Sequence, residues 1–415
     1  MNKLKVLMIN NYHFRRGGAD SIYLNTINLF KERGHEVAAF SLKHPENIPD
    51  ANDHLFPEYH SLLSKGFTDR LSSFRDYFYS HKVKSALIKL LQEFKPDIIH
   101  AHLLYGGLTS SALTVFKKNN IPVVYSAHDY KLICPNQAFL QNGSKICESC
   151  KGKKYYNSFL KKCNKNSFLF SSVIALESYF RDLFFPINTH ITKVVTLCNF
   201  GLQKHIDFRP DLTKKLTYLF NFAPELYKIN PEYTRGEYYL FFGRLSSEKG
   251  LMTLVKAWEL LTSSTQLIIA GTGPLSETLK AYIIERNLNN VSLVGFKSGN
   301  ELSELIKMAS YIVTPSEWYE NNPMTIIEGY SYGKPAIGSN IGGIPELVKN
   351  NYNGFIFNLG NTDALAKCIQ KSENISNEEY LILAKNARNF AEINCAPEVH
   401  YNALINIYND SILNY

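Results

Sequence analysis

No run of about 18 consecutive apolar residues occurs in this 415-residue chain, so no bilayer-spanning helix is expected. The opening residues, MNKLKVLMINNYHF, hold only the short apolar core VLMI, too brief for the h-region of a secretory signal. They read instead as a first β-strand. The expectation is a cytoplasmic protein, with room for contact at the inner face of the membrane. No internal repeat or low-complexity segment stands out, which argues against solenoid and disordered architectures. Seven cysteines in a chain this long are too few for a disulfide scaffold. Acid is outnumbered: 45 Lys and Arg against 37 Asp and Glu leave a net charge of +8, which suits phosphates, acidic lipid headgroups or nucleic acid.

What is present is an ordinary globular balance, 45% hydrophobic and 20% charged, with ample core. At roughly 150 residues per domain the length suggests two or three domains. Short apolar runs alternate with longer amphipathic segments. Strands are expected near 5–10, 35–42, 97–102, 122–128, 172–177 and 193–199, and a second series near 238–244, 266–271, 291–296, 311–316 and 335–340. Helical segments such as SIYLNTINLFKERG and LSELIKMAS lie between them. This alternation predicts α/β architecture: two doubly wound, Rossmann-like domains facing across a cleft. The first is expected over 1–222, a linker rich in Pro, Asn and charge over 223–236, the second over 237–394, and a C-terminal helix over 395–415 that packs back on the first. Ligands in such sheets bind at the carboxyl ends of strands.

The run ENNPMTIIE sets two carboxylates, Glu320 and Glu328, around a helix start. Asn322 suits the N-cap and Pro323 the first helical position. Met324, Thr325 and Ile326 would then offer backbone N–H groups to an anion. In YYLFFGRLSSEKG a buried strand stops at Gly243, and Arg244 and Lys249 follow at its carboxyl end, the one suited to bidentate phosphate contact and the other a point charge. The bland reading is a solvated turn whose cations pair with Glu248. Gly17 and Gly18, in RRGGAD, let backbone approach a phosphate, although the segment is no G-x-G-x-x-G and could be a plain turn. Gly271 and Gly273 in IAGTGP, and VGF ending at Phe296, can keep a cleft open for a base or ribose, or serve ordinary turns. His128 and Asp129 end a first-domain strand and could orient a hydroxyl or carry a proton. His100 and His102 share one face of DIIHAH and read as structural.

Cys134, Cys147, Cys150 and Cys163 form a C-x-x-C knuckle flanked by two cysteines, each with twelve residues between it and the knuckle. Four thiolates in this pattern suit tetrahedral structural Zn²⁺; a redox pair and inert core thiols are the alternatives. Residues 151–165 carry six lysines and no acid, interleaved with aromatics, and 70–94 form a basic amphipathic segment. Such stretches bind anionic membrane or nucleic acid, or are simply solvated surface.

Nearly the whole chain, most densely over 238–360, resembles the retaining GT-B glycosyltransferases of family 4. The resemblance lies in FFGRLSSEKG, IAGTGP, LVGF, the E-x₇-E run ENNPMTIIE, and GKPAIGSNIGGIPELV with NGFIF behind it, in this order and spacing. It implies a hexosyltransferase using a nucleotide-sugar donor of UDP or GDP type, and a glycan or polyprenyl-linked acceptor in cell-surface polysaccharide synthesis, with no nucleic acid. It implies that Arg244 and Lys249 neutralise the pyrophosphate, Glu328 holds ribose hydroxyls and Glu320 faces the donor sugar. Gly18 would approach the phosphates, and His128 would line the acceptor side near the anomeric carbon. The chain contains no D-x-D, so metal-independent catalysis is expected, with no catalytic cofactor and with zinc as a structural ion. Asn-Asn-Pro stands where many relatives have Ser/Gly-Phe-Gly, which leaves the donor sugar open. The alternatives are another GT-B nucleotide-sugar enzyme, such as a 2-epimerase, or a non-catalytic zinc-containing nucleic-acid-binding protein.

Overall fold

Runs rich in Val, Ile, Leu and aromatics, buried on both faces, are what parallel sheets require. The computed structural model describes residues 3–58 and 74–415, and in it these runs form two six-stranded sheets whose described pairings are all parallel. The first holds β1 (Lys5–Ile9), β2 (Glu36–Phe40), β3 (Ile98–Ala101), β4 (Val123–Ala127), β5 (Lys193–Thr196) and β6 (Leu216–Tyr218), in the order β2-β1-β3-β4-β5-β6. The second holds β7 (Tyr238–Phe242), β8 (Gln266–Ala270), β9 (Val291–Gly295), β10 (Ala309–Thr314), β11 (Ala336–Ser339) and β12 (Gly354–Phe357), in the order β9-β8-β7-β10-β11-β12. Both are doubly wound α/β sheets. In the second, strand order reverses between β7 and β10, the switch point at which such sheets bind ligands.

By contacts the chain divides into two units. One comprises Met1–Asn142, Cys147–Leu219 and His400–Tyr415; the other comprises Gly143–Ile146 and Phe220–Val399. The C-terminal helix Pro397–Leu413 thus ends in the first unit, where Tyr401 Oη meets His35 Nε2 at 2.8 Å and Tyr408 Oη meets His100 Nδ1 at 2.6 Å. In the second unit Ala223 and Leu226 join a core with Ile326, Tyr330 and Leu347.

The sequence reading departs from the structure in several places. The expected strand at 172–177 is the middle of a helix, Phe168–Phe184. A short apolar run does not distinguish the two, and here the burial pattern is helical. That helix buries charge as well as apolar side chains: Ser171, Glu177, Ser178 and Arg181 are buried with Val173, Ile174 and Ala175, while Leu169, Leu176 and Leu183 are exposed. The buried charges pair among themselves. Lys131 Nζ lies 2.8 Å from Glu177, Arg181 lies 3.7 Å from Glu177, and Arg209 lies 3.1 Å from Asp182. The segment 70–94 is not one helix where it is described: a helix His81–Phe94 starts at Ser80, whose Oγ accepts the Val83 N–H at 3.3 Å. Residues 70–73 of that segment lie outside the described residues. Strands β6 and β12 were not anticipated, both being short edge strands.

Candidate functional site

The site in the second unit grows out of the loops that leave β7, β8 and β10. These loops interlock through backbone that tolerates no side chain. Gly250 sits at φ +69°, and a Cβ there would fall 1.9 Å from the Pro315 carbonyl oxygen; Gly271 sits at φ +146°, with Gly243 O as close. Glycine is the residue that takes such φ values without strain. Gly273 is as tightly placed, against Leu245 O at 2.3 Å.

Arg244 and Lys249 both lie beyond β7, but they differ. Arg244 is exposed and, among the described residues, no hydrogen bond or ion pair of its side chain is present. Lys249 is engaged: its Nζ lies 2.5 Å from Glu320 Oε1 and 5.3 Å from the centre of the Trp318 ring. Glu320, 6% exposed, also accepts from Ser316 Oγ at 2.7 Å. Burial alone would raise its pKa, but the Lys249 ammonium, with the hydrogen bond from Ser316, holds it below the usual carboxylate range. Glu248 bonds to Ser246 Oγ at 2.6 Å, so the solvated-turn pairing does not account for the cations.

The helix start is one residue later than expected. The helix is Met324–Ser331, and Pro323, at φ −65° and ψ 116°, is its cap. Asn322 does not cap it: its Oδ1 accepts the Asn221 N–H at 2.9 Å, a buried contact that draws the side chain away from the helix. Ile326 N–H bonds back to Pro323 O at 3.2 Å, so Met324 and Thr325 carry the forward-facing donors. Glu328 is half-buried inside the helix, and Phe296, just past β9, is 69% exposed.

In the first unit, Gly17 caps the helix Gly18–Glu32 with extended backbone, and a Cβ on it would meet nothing within 4 Å. Gly18 is exposed beside it. His128, beyond β4, does not pair with Asp129, whose Oδ1 accepts the Lys131 N–H at 2.9 Å. Its partner is His102, at the end of β3: Nδ1 of His102 lies 2.7 Å from Nε2 of His128, with the rings stacked at 5.0 Å. His100 stacks behind at 4.2 Å and bonds Ser126 Oγ at 2.8 Å. Burial depresses all three imidazoles, His128 to about 3, so they are neutral at physiological pH. The clue to His102 was in the sequence: alternation along H-x-H at a strand end points both rings to one side.

The four cysteines of the candidate zinc module are reduced. As placed, no group of three or more His, Cys, Asp or Glu among the described residues is set to hold a metal ion. Hydrogen bonds nevertheless stitch them together. Cys134 Sγ donates to Asn136 Oδ1 at 2.9 Å, and Asn136 Nδ2 donates to Cys163 O at 3.4 Å. Lys161 Nζ donates to Cys147 Sγ at 3.5 Å, and Cys147 N–H to Phe139 O at 2.8 Å. Burial pushes the Cys150 thiol up to about 12, and all three other cysteines add to the rise.

Two doubly wound α/β units, the second with Arg244, Lys249 and a helix start beyond the ends of its central strands, define the GT-B class of fold. The chain belongs to the group 1 glycosyltransferases of GT-B fold. The family described as Glycosyl transferases group 1 matches residues 223–390, and Glycosyltransferase Family 4 matches 16–166. An uncharacterized glycosyltransferase of Methanocaldococcus jannaschii is 31% identical over 39% of this chain and 45% of its own length. The Escherichia coli UDP-Gal:alpha-D-GlcNAc-diphosphoundecaprenol alpha-1,3-galactosyltransferase is 31% identical over 35% of this chain and 38% of its own. The match thus spans less than half the length of each. The Anabaena protein HepE, solved with UDP and glucose, shares the fold at a TM-score of 0.66 and 18% identity, over 98% of this chain and 100% of that one.

Proposed function

We propose that this protein is a retaining hexosyltransferase that moves a sugar from a nucleoside-diphosphate sugar to a glycan or polyprenyl-linked acceptor in cell-surface polysaccharide synthesis. The observation that carries the reading is Arg244, an exposed cation just past β7 with no side-chain partner among the described residues, in the same loop as Lys249 of the Lys249–Glu320 pair. As the glycosidic bond breaks, negative charge builds on the leaving diphosphate. Arg244, Lys249 and the N–H groups of Met324 and Thr325 stabilise it there. Four such donors give a reason for catalysis without a metal. Glu320 holds the Lys249 ammonium in place and addresses the sugar, and Glu328 takes the ribose hydroxyls. Gly17 and Gly18 approach the phosphates, with Gly271, Gly273 and Phe296 around the nucleoside. His128 lies on the acceptor side. The Escherichia coli relative is named as a UDP-Gal transferase acting on a diphosphoundecaprenol-linked sugar, and the Anabaena protein was solved with UDP and glucose, which supports this reading over an epimerase or a nucleic-acid-binding module.

The test separates the two cations. Arg244→Ala lowers turnover by roughly 10²–10³ with the thermal midpoint unchanged, since the side chain has no partner to lose. Lys249→Ala lowers turnover similarly and also destabilises the fold, because it leaves a buried carboxylate unpaired. Calorimetric titration with UDP and GDP, alongside product analysis with and without acceptor, checks both. Wild-type turnover in Arg244→Ala would remove the diphosphate assignment.

The spacing of the four cysteines suits a structural Zn²⁺. Burial pushes the Cys134 and Cys150 thiols up, to about 11 and about 12, while backbone N–H groups of Asn136 and Phe139 act the other way at Cys134, as those of Ser149 and Ser158 do at Cys147 and Cys150. When bound, the ion would favour the thiolates over the thiols and order residues 134–163. A fully occupied Cys₄ site leaves no open position for chemistry.

A further inference from the structure

The helix Phe168–Phe184 buries Val173, Ile174 and Ala175 and turns a second apolar stripe outward. Leu169, Leu176 and Leu183 recur every seven residues along one face, 70%, 54% and 73% exposed. Phe168, Tyr179 and Phe184 flank them, also exposed. A surface helix ordinarily buries that stripe and solvates its charges. Here Glu177 and Arg181 are inside and the leucines outside, which leaves a contiguous apolar face of the kind that marks an interaction site.

The face continues beyond the helix. Phe159 packs on Phe168 at 5.1 Å, and Tyr156 and Leu160 beside it are exposed. At the other end Phe184, Phe180, Phe78 and Phe74 form a chain of ring contacts between 4.9 and 5.6 Å. Lysines rim it. Lys162 Nζ stands 4.3 Å from the Phe168 ring and Lys165 Nζ 4.9 Å from Phe170, with Lys151, Lys153 and Lys154 exposed nearby in sequence. Between residues 149 and 190 the only acids are Glu177 and Asp182, and both are buried in ion pairs.

We propose that this face seats the protein on an anionic lipid bilayer, with the leucines and aromatics in the headgroup–acyl boundary and the lysines at the phosphates. Apolar side chains bordered by lysine, with acid withdrawn, are what an interfacial helix needs. A second copy of the chain is the poorer occupant. A two-fold pairing would set this lysine-rich, acid-free surface against itself. The inference deepens the lipid-linked acceptor reading but concerns a different surface from the donor site, so its test needs no turnover.

The test is co-sedimentation of the full chain with vesicles of phosphatidylcholine, alone or mixed with phosphatidylglycerol. The wild type pellets with the anionic vesicles and little with the neutral ones. The triple variant Lys153→Gln/Lys154→Gln/Lys165→Gln binds them about 10²-fold more weakly, from about 1 kcal/mol per lysine near the surface. The triple variant Leu169→Ser/Leu176→Ser/Leu183→Ser loses binding at low and high salt alike. Both should keep the wild-type melting temperature and nucleotide affinity, because every altered side chain is exposed. Binding that survives both sets of changes overturns the proposal. So does failure of the wild type to pellet, or a leucine variant that dissolves a dimer in solution yet still binds vesicles. Loss of nucleotide binding with vesicle binding intact would instead count against the donor reading alone.

Discussion

His102 shows how a residue can matter through another. His128, proposed here for the acceptor side, has its ring held by a 2.7 Å bond to His102 and a near-parallel stack. The other nitrogen of His102, Nε2, is buried with no hydrogen-bond partner. An unsatisfied buried N–H costs more than an unsatisfied lone pair, so the proton belongs on His102 Nδ1, donated to His128. That fixes the tautomer of His128, with its proton on Nδ1. His102→Phe keeps a flat ring but removes the donor. It should lower kcat by about 10²-fold, as a small misplacement of a positioned group does, and shift the pH profile, with little change in donor KM. His102→Asn, which can still donate, should recover part of the loss. A variant with Phe that keeps both kcat and the profile would make His102 a packing residue only.

At the scale of elements, the features legible in the sequence were those fixed by local spacing. The parallel strands were visible as short apolar runs, and the loop glycines at 243 and 271 as breaks at strand ends. The helix start at 323 was visible through its proline, but not its register: Asn322 prefers an N-cap locally, and a distant backbone N–H, that of Asn221, captured it instead. Phe168–Phe184 failed for a related reason. It is apolar on more than one side, burying Val173 and Ile174 with Glu177 and Arg181 and exposing three leucines, so apolar spacing alone could not orient it. The pairing of Lys249 with Glu320 joins residues 71 apart and was invisible to spacing. The cysteine module lies between these cases, since spacing gives the four donors and the fold gives the web around them. Elemental analysis of protein purified without chelator should find about one zinc per chain, and cobalt exchange should give thiolate-to-metal absorption with tetrahedral ligand-field bands. Prolonged chelation should then expose residues 134–163 to proteolysis while nucleotide binding persists. Seven titratable thiols with no metal would leave four reduced structural cysteines.

Across the whole molecule the two units differ in one titratable type. All twelve histidines lie in the first unit and none in the second. Several are buried and held neutral: His100 and His102 lie well below the ordinary value, His128 is depressed to about 3 and His205 to about 4, chiefly by burial. The sign follows directly. A folded pKa below the unfolded one means that unfolding takes up protons once the pH falls under about 6.5. The stability these rings contribute is complete above that pH and is lost progressively toward pH 4 and 3. Each fully neutral ring costs up to about 1.4 kcal/mol per pH unit in that window. Asp20 and Asp129, raised by burial, oppose the trend, because the native carboxyls take up protons as the pH falls through their raised values toward the ordinary carboxylate value. The second unit has no such liability until its carboxylates titrate; Glu320, depressed by Lys249, loses its contribution only below the ordinary carboxylate range. Acidification from pH 7 to 5 should therefore weaken the first unit first and split a calorimetric transition in two. UDP at 100 times its dissociation constant should then raise the upper transition, by about 2.7 kcal/mol of stabilisation, and leave the lower one in place. A single transition, or a lower one that moves with nucleotide, would mean that the histidine column does not set the acid limit of the first unit.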